Sequence, residues 1–253
     1  MKSVKKGDLE KVSELIEMGA DLNTTVGDTD KRSLLHHASQ KGHSKLIHFL
    51  LDKGIEINSL DNRGRTPLYL ACYDYKFESA KALVSKGAEI NLNGEFNPLD
   101  MACSNSYYGT EIVELLLKHN ADVNIKCRGT RVTPLMGALH QEKVDSLILL
   151  LEAGAKTNQI DANGDSPLGR VSQHNFPNHV NLLLDYNAEI NYQDNKGNSA
   201  LHLATQRKNK EVIDVLIKRG IKTNLKNQDG ETAKEIAKKI DSDLLVFISK
   251  LID

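Results

Sequence analysis

Nine histidines and three cysteines are the side chains of this 253-residue chain that could bind a metal or act as nucleophiles. Their spacing fits neither role. His36 and His37 are adjacent, so on a helix they point to different faces and lack the i, i+4 spacing of a helical zinc pair. Cys72, Cys103 and Cys127 form no Cys-x-x-Cys pair, which favours free thiols in a reducing compartment. The sequence therefore predicts no metal site.

Catalytic signatures are also missing from the sequence. It contains no phosphate-binding GxxxxGK(S/T), no HExxH, no GxSxG and no dinucleotide-binding glycine fingerprint. A catalytic triad can be assembled from distant residues, so the missing motifs are not decisive by themselves. Together with the repeats described below, they predict a protein that is not an enzyme and holds no cofactor.

Tyrosine and arginine, which are enriched where protein interfaces gain most of their binding energy, are unevenly spread. Of the seven Tyr and five Phe, seven fall between residues 69 and 108. Arg63 and Arg65 immediately precede this stretch, and a second basic group follows it at Lys126, Arg128 and Arg131. The aromatic stretch has the composition of a surface that binds another protein. The basic group fits either contact with an acidic partner or a solvated loop.

The elements that carry these side chains repeat along the chain. The pattern Gly-Ala-x-(Val/Ile/Leu)-Asn recurs, with substitutions, and ends at Asn23, Asn58, Asn91, Asn124, Asn158, Asn191 and Asn224. Successive asparagines are 33 to 35 residues apart. Triplets similar to Thr-Pro-Leu recur at a similar step of 31 to 36 residues, at residues 66–68, 97–99, 133–135, 166–168 and 199–201. A regular period of this length indicates stacked, similar units.

Each unit has the pattern of two helices followed by a turn. Thr66 and Pro67 favour a helix start, because Thr caps free N–H groups and Pro lacks the N–H that the first turn leaves unpaired. Pro177 is expected to open a second helix in the same way. Second helices are predicted to end where Gly or Asn recurs, since both tolerate the left-handed conformation. The repeated Asn is expected to bond turn backbone that no ladder satisfies.

A column of small residues indicates where helices approach each other closely. Val171 is its exception, and the other members are Ala38, Ala71, Ala102, Ala138, Ala204 and Ala237. With the Thr-Pro-Leu starts, the Ser-Ala-Leu-His-Leu-Ala run at residues 199–204 and the Gly-Ala-x-x-Asn ends, the chain resembles the ankyrin repeat over nearly its whole length. The resemblance implies an all-α solenoid of about eight stacked helix-turn-helix units with hairpin-like fingers. One array is expected, with units at residues 1–23, 24–58, 59–91, 92–124, 125–158, 159–191, 192–224 and 225–253, the first partial and the last a C-terminal cap.

The resemblance also implies a location for binding, because fingers and first helices line a concave face in ankyrin arrays. The candidate partner-binding residues lie on this face, at adjoining helix ends or on the basic finger: Arg63, Arg65, Tyr73, Asp74, Tyr75, Phe96, Tyr107, Tyr108, Arg128, Arg131 and His140. The same mapping places Asn163, Asp165, Gln173, His174, Lys196 and Arg207 on the face in later repeats. His36 and His202 are expected to hydrogen-bond between units. Cys72 and Cys103 are expected to be packed, and Cys127 to be exposed.

The function that this resemblance implies is that of a non-catalytic protein–protein interaction module, or scaffold. Two alternatives stay open. The chain could be an effector of an intracellular bacterium that binds a host protein, or the targeting arm of a larger enzyme whose catalytic domain lies elsewhere. The partner in each case is another protein, and the chain itself is expected to be monomeric.

Net charge and hydropathy limit the classes of partner and the cellular compartments that the sequence favours. Lys and Arg total 33 against 34 Asp and Glu, so the chain lacks the basic surplus that general nucleic-acid binding needs. The longest apolar runs, such as residues 147–151, are far shorter than the roughly 20 residues that span a bilayer. The N-terminus lacks the apolar stretch of a signal peptide. A cytoplasmic protein is expected, located in the host cytosol if it is a translocated effector.

Overall fold

The computed structural model describes residues 1–25, 29–92, 96–104, 110–140 and 144–252. Within these ranges the regular secondary structure consists of α-helices, and extended pairing is limited to one isolated bridge between Gln193 and Ser199. The chain divides into two compact units, Met1–Arg128 and Gly129–Asp253, which we call the N-terminal unit and the C-terminal unit. The predicted all-α class is confirmed.

Each unit is built from consecutive helix pairs. In the N-terminal unit the helices are α1 Lys2–Lys6, α2 Leu9–Glu17, α3 Leu34–Lys41, α4 Ser44–Asp52, α5 Pro67–Tyr73, α6 Phe77–Ser85, α7 Pro98–Ser104 and α8 Glu111–Lys118. In the C-terminal unit they are α9 Pro134–Ala138, α10 Asp145–Glu152, α11 Pro167–Ser172, α12 Pro177–Asp185, α13 Ala200–Gln206, α14 Lys210–Lys218, α15 Ala233–Ile240 and α16 Ser242–Ile252.

The helix starts agree with the sequence-based expectation. The Thr66 hydroxyl accepts a hydrogen bond from the Tyr69 N–H at 3.0 Å, and Pro67 occupies the first helical position. Ser166 caps α11 in the same way. Pro177 opens α12, as predicted. These caps satisfy N–H groups that a short helix cannot pair internally.

The second helices end where Gly or Asn was expected to end them. Gly54 has φ of 84° and Asn120 has φ of 62°, so both adopt the left-handed conformation. The following amide, Ile55 N–H, turns back to the Leu50 carbonyl at 3.2 Å. This geometry closes the helix and sends the chain toward the next finger.

The small-residue column forms the centre of each unit. Ala38, Ala71, Ala204 and Ala237 are fully buried, as is Val171 in the one repeat that lacks the alanine. Successive first helices pack against one another there, α3 against α5 and α5 against α7, and in the C-terminal unit α11 against α13 and α13 against α15. A small side chain is required because the helix backbones lie close together.

Four of the repeated asparagines bond the backbone of the next repeat, as expected: Asn58, Asn91, Asn158 and Asn191. The Asn158 Oδ1 accepts the Glu189 N–H at 2.8 Å, and its Nδ2 donates to the Asn187 carbonyl at 3.1 Å. Asn91 makes the equivalent pair of bonds to Asp122 and Asn120.

Two buried histidines make a second bond between repeats. The Nδ1 atoms of His36 and His202 accept the N–H groups of Ser33 and Ser199, and their Nε2 atoms donate to carbonyls 29 residues further along the chain. Burial lowers the pKa of both imidazoles. A neutral ring that donates from Nε2 fits this pattern, so these histidines act as links between repeats.

Enlarging a member of the small-residue column is expected to destabilise the fold. Ala138 is 1% exposed, so Ala138→Leu should lower the free energy of unfolding by about 1 to 3 kcal/mol, because the added methylenes have no space. Urea unfolding followed by circular dichroism measures the change. Ala153→Leu, at the exposed end of α10, is the matched control and should stay within about 0.5 kcal/mol of wild type. Equal effects would contradict close packing at the column.

Removing one asparagine link is expected to weaken the C-terminal unit. Asn158→Ala should lower the free energy of unfolding by about 1 to 2 kcal/mol, since two backbone groups of the following repeat lose their partners. The control is Asn178→Ala on the exposed side of α12, where Ala favours the helix and stability should not fall. If both variants unfold at the same urea concentration as wild type, the asparagine link contributes nothing to stability.

Candidate partner-binding surface

Three arginines and two aspartates form a compact group on the fingers of the N-terminal unit. We call this group the Arg–Asp cluster: Arg32, Arg63 and Arg65 with Asp30 and Asp61. The Arg65 guanidinium bridges both carboxylates, at 2.7 Å from Asp61 and 2.8 Å from Asp30. Arg32 pairs with Asp30 at 2.9 Å, and Arg63 pairs with the same carboxylate at 3.1 Å. A planar guanidinium suits such bridging because its N–H groups point in fixed directions.

The carboxylates of this cluster stay ionised. Burial acts to raise the pKa of Asp61, but hydrogen bonds from the Arg65 side chain and from the Arg65 and Arg63 amides outweigh it, so the pKa lies below its usual value. The pKa of Asp30 is lowered by the same arginines, against the opposing effect of burial. The Arg65 side chain is only 12% exposed, whereas that of Arg63 is 62% exposed. Arg65 therefore differs from the exposed anchor that the sequence suggested, because two carboxylates of the fold already hold it.

Beside the Arg–Asp cluster lies a group of rings that we call the aromatic cluster: Tyr69, Tyr73 and Phe96. Tyr69 stacks on Tyr73 with ring centroids 6.3 Å apart and meets Phe96 edge-on at 5.3 Å. Tyr69 is buried, and this burial raises the pKa of its hydroxyl to about 12. Tyr73 is 49% exposed, and Phe96 is half-buried. The cluster presents one ring to solvent on a base of packed rings.

The other candidate partner-binding residues of this region differ in their exposure. Asp74 ends α5, and Tyr75 follows it with a left-handed φ of 54°; both are half-buried. Tyr107 and Tyr108 lie outside the described residues. Arg128, at the end of the N-terminal unit, and Arg131, at the start of the C-terminal unit, are both exposed.

Two of the three cysteines lie where the sequence predicted them, and the third does not. Cys72 and Cys103 are fully buried, and burial raises the pKa of both thiols. Cys127 was expected to be exposed, and this was wrong: it is only 7% exposed, with its Sγ 3.5 Å from an Asp100 carboxylate oxygen. The finger folds inward at this point, so its backbone position did not reveal the direction of the side chain.

His140 belongs to a separate cleft within the C-terminal unit. Its exposed ring meets the His174 ring edge-on, with centroids 5.4 Å apart. Burial, Arg170 and His174 together lower the pKa of His140. The cleft has a volume of about 460 Å³ and is lined by His140, Asp165, Arg170, Gln173, His174 and Arg207. The sequence placed most of these residues on one face, but not the ion pair that holds Arg170, at 3.2 Å from the buried Asp161.

No group of three or more His, Cys, Asp or Glu side chains in the described ranges is placed to hold a metal ion. Among the helices in those ranges, none combines the length and apolar character needed to cross a bilayer.

Comparison with known proteins identifies the repeat. A family model described as "Ankyrin repeats (3 copies)" matches residues 1–94, 56–127, 99–194 and 135–227, which together cover most of the chain. The chain belongs to the ankyrin repeat family. The crystal structure of the human ASB11 ankyrin repeat domain is similar, with a TM-score of 0.75 and 28% sequence identity over 86% of this chain and 96% of that one. The expected ankyrin-repeat fold is thereby confirmed.

Individual relatives share the ankyrin region with much longer proteins. A putative palmitoyltransferase ZDHHC13 of Danio rerio is 32% identical over 164 residues, which cover 64% of this chain and 24% of that protein. Ankyrin repeat and SOCS box protein 5 of Oryctolagus cuniculus is 32% identical over 120 residues, covering 47% of this chain and 35% of the relative. The chain therefore spans 24% and 35% of the length of these two relatives. Ankyrin repeats are generally protein–protein interaction modules, and their fold is typically non-catalytic.

The Arg–Asp cluster is expected to make stability depend on pH. Asp61→Asn should lower the free energy of unfolding by about 2 kcal/mol near neutral pH, because charged hydrogen bonds are lost. The pKa values of Asp30 and Asp61 are lowered from 3.8 by folding, so their stabilising effect is present above that value and lost as pH falls through the folded-state pKa. The gap between variant and wild type should thus narrow progressively as the pH falls below 3.8. Urea titrations across this range test it.

The matched control for this experiment is Glu78→Gln, an exposed carboxylate in the first turn of α6. Its effect should stay within about 0.5 kcal/mol at every pH, as is usual for surface sites. A gap between Asp61→Asn and wild type that persisted unchanged at low pH would show that the ionised carboxylate is not the stabilising species.

Proposed function

We propose that the chain is a non-catalytic interaction module that binds a partner protein through the finger and first-helix face of its N-terminal unit, with Tyr73 as the central contact. The observation that carries the proposal is the aromatic cluster. Tyr73 is half exposed, and its ring is held in place by stacking on the buried Tyr69. An aromatic side chain already held in place loses little conformational freedom when it is covered by a partner.

The exposed arginine of the Arg–Asp cluster, in the same unit as Tyr73, supports the same proposal. Arg63 is the arginine of the cluster that extends into solvent, while Arg65 and Arg32 are held between Asp30 and Asp61. Tyrosine and arginine are both enriched in interface hot spots, where the surrounding groups exclude water. Phe96 packs against Tyr69 from the next repeat, so that two repeats support one contact point.

A non-catalytic role is supported by the uses that the fold makes of its reactive residues. His36 and His202 link successive repeats, and the thiols of Cys72 and Cys103 are fully buried. Thiolate is the reactive form of cysteine, and burial disfavours it. The described thiols are free, which supports a cytoplasmic location.

A second candidate function is that of a targeting arm within a larger enzyme. It is favoured by the Danio rerio relative, which is named a putative palmitoyltransferase and aligns with this chain over 24% of its length. In that case the module would position a substrate for a catalytic domain elsewhere in the polypeptide. Sequencing the transcript around this segment tests the idea, since a reading frame that continues into a catalytic domain is required.

The partner is to be found by parallel capture from a lysate of the source cell, with wild type and variants as bait. Tyr73→Ala is expected to weaken binding of the captured protein about thirty-fold, the loss typical of a hot-spot residue of about 2 kcal/mol. Its melting temperature should change little, because Tyr73 is half exposed. Calorimetric titration with the purified partner gives the affinities.

The matched control is Tyr186→Ala, an exposed tyrosine at the end of α12 in the C-terminal unit. It should leave affinity unchanged. If Tyr186→Ala weakened binding more than Tyr73→Ala, or if Tyr73→Ala mainly unfolded the protein, the aromatic cluster would not be the binding site.

A further inference from the structure

One finger of the C-terminal unit carries a carboxylate where the corresponding finger of the N-terminal unit carries a guanidinium. The fingers align as Asp-Asn-Arg-Gly-Arg at residues 61–65 and Asp-Ala-Asn-Gly-Asp at residues 161–165. Both fingers have the same bond within the turn: the Oδ1 of the first aspartate accepts the backbone N–H of the fifth residue at 3.0 Å in each case. Asp165 therefore occupies the position that Arg65 fills in the N-terminal unit.

The Asp165 carboxylate has no cation of its own. It forms no ion pair and accepts no side-chain or backbone hydrogen bond from the described part of the chain. Its neighbour Asp161 is paired with Arg170 at 3.2 Å, and the Asp194 carboxylate accepts the Lys196 and Asn198 amides. Half-burial raises the pKa of Asp165, and the charges of Asp161 and Asp194 raise it further.

Cations do face this position, but they do not neutralise it. Arg170 is engaged by Asp161, and Lys196 is an exposed side chain that makes no ion pair with a described residue. Both lower the pKa of Asp165, yet the net direction is upward. Arg207 is exposed on the same cleft and is also unpaired among the described residues. Among the described residues, none of these cations therefore forms an ion pair with the Asp165 carboxylate.

The space around Asp165 is large enough for a side chain from outside. Asp165, Gln173 and Arg207 line two clefts of the C-terminal unit, with volumes of about 940 and 460 Å³. The walls of the larger cleft are rich in amide side chains, including Asn163, Asn195 and Gln206. Such groups donate and accept hydrogen bonds, which suits the backbone of an extended segment.

We propose that Asp165 is the receptor for an arginine side chain of a partner protein, whose guanidinium lies against Asp165 in the cleft as Arg65 lies against Asp61 and Asp30. The N-terminal unit displays this contact within the chain itself, with the Arg65 Nη2 at 2.7 and 2.8 Å from two finger carboxylates. A guanidinium is favoured over an ammonium because its planar fork can meet the carboxylate and a neighbouring amide oxygen together.

The proposal rests on the proposed function only in treating the repeats as a binding module, because Tyr73 and Asp165 belong to different units. The probe is the blocked pentapeptide acetyl-Gly-Gly-Arg-Gly-Gly-amide, titrated at low salt into the full-length, isotope-labelled chain. Saturable shifts of the Gly164, Asp165 and Ser166 amide signals are expected. A peptide with citrulline in place of arginine, which has the same shape without charge, should produce none. A citrulline peptide, or a matching lysine peptide, that bound as tightly as the arginine peptide would overturn the assignment to a guanidinium.

Variants locate the contact. Asp165→Asn should lower the affinity for the arginine peptide at least about tenfold, the loss expected for a charged hydrogen bond. Glu152→Gln, an exposed carboxylate on α10, is the matched control and should bind like wild type. Equal losses in the two variants would reduce the effect to general charge attraction and overturn the proposal.

Two more variants separate this proposal from the one above. Asp165→Arg should abolish peptide binding while keeping a wild-type melting temperature, because it supplies the arginine that the N-terminal unit has at this position. Tyr73→Ala should leave the affinity for the arginine peptide unchanged. If Tyr73→Ala does not weaken binding of the captured partner, the aromatic site is wrong and the Asp165 result still stands. If Asp165→Asn does not weaken binding of the peptide, the arginine receptor alone is wrong.

Discussion

Side chains of one repeat bond backbone groups of the next, and these bonds between repeats recur in both units. The Glu189 N–H has its partner in Asn158 Oδ1, and the Glu231 carbonyl has its partner in His202 Nε2. Neither bond lies within a helix. Each such bond contributes on the order of 1 kcal/mol, so a repeat is stabilised further when the next one is in place. This explains why the period is so regular, since an Asn or His shifted by a few residues would miss its target.

The same constraint decides which residues are available for function. Positions for helix caps, the small-residue column and the links between repeats are fixed by packing, and the links include His36 and His202, while Cys72 is buried next to the column. Finger residues take part in these links as well, since the Asn62 Nδ2 donates to the Thr29 carbonyl and the Asn195 Nδ2 donates to the Asn163 carbonyl. In the N-terminal unit even part of the finger charge is used internally, since Asp30 and Asp61 hold Arg65. The side chains available to bind a partner are therefore surface residues that these links do not use.

The sequence was sufficient to predict the helix pairs, because the cap at Thr66 and the turn at Gly54 depend on local conformation that each residue type determines. Pro177 was predictable for the same reason. Cys127 was mispredicted because the direction of a side chain on a finger depends on its neighbours in space. The burial of Arg65 was missed although the Asp61 to Arg65 spacing was visible, since its second carboxylate, Asp30, lies 35 residues earlier. Contacts between repeats are readable only once the repeats are superimposed.

Superimposing the fingers shows how one backbone can carry opposite chemistry. The Asp61 N–H donates to the Arg65 carbonyl at 3.0 Å, and the Asp161 N–H donates to the Asp165 carbonyl at 3.1 Å. Those bonds, together with the aspartate that caps each turn, fix the finger without using the side chain of its fifth residue. That side chain can change from guanidinium to carboxylate while the turn is kept. Binding specificity in such a fold therefore depends on positions whose backbone conformation is fixed by other residues. The binding preference of one repeat can change at these positions without loss of the fold.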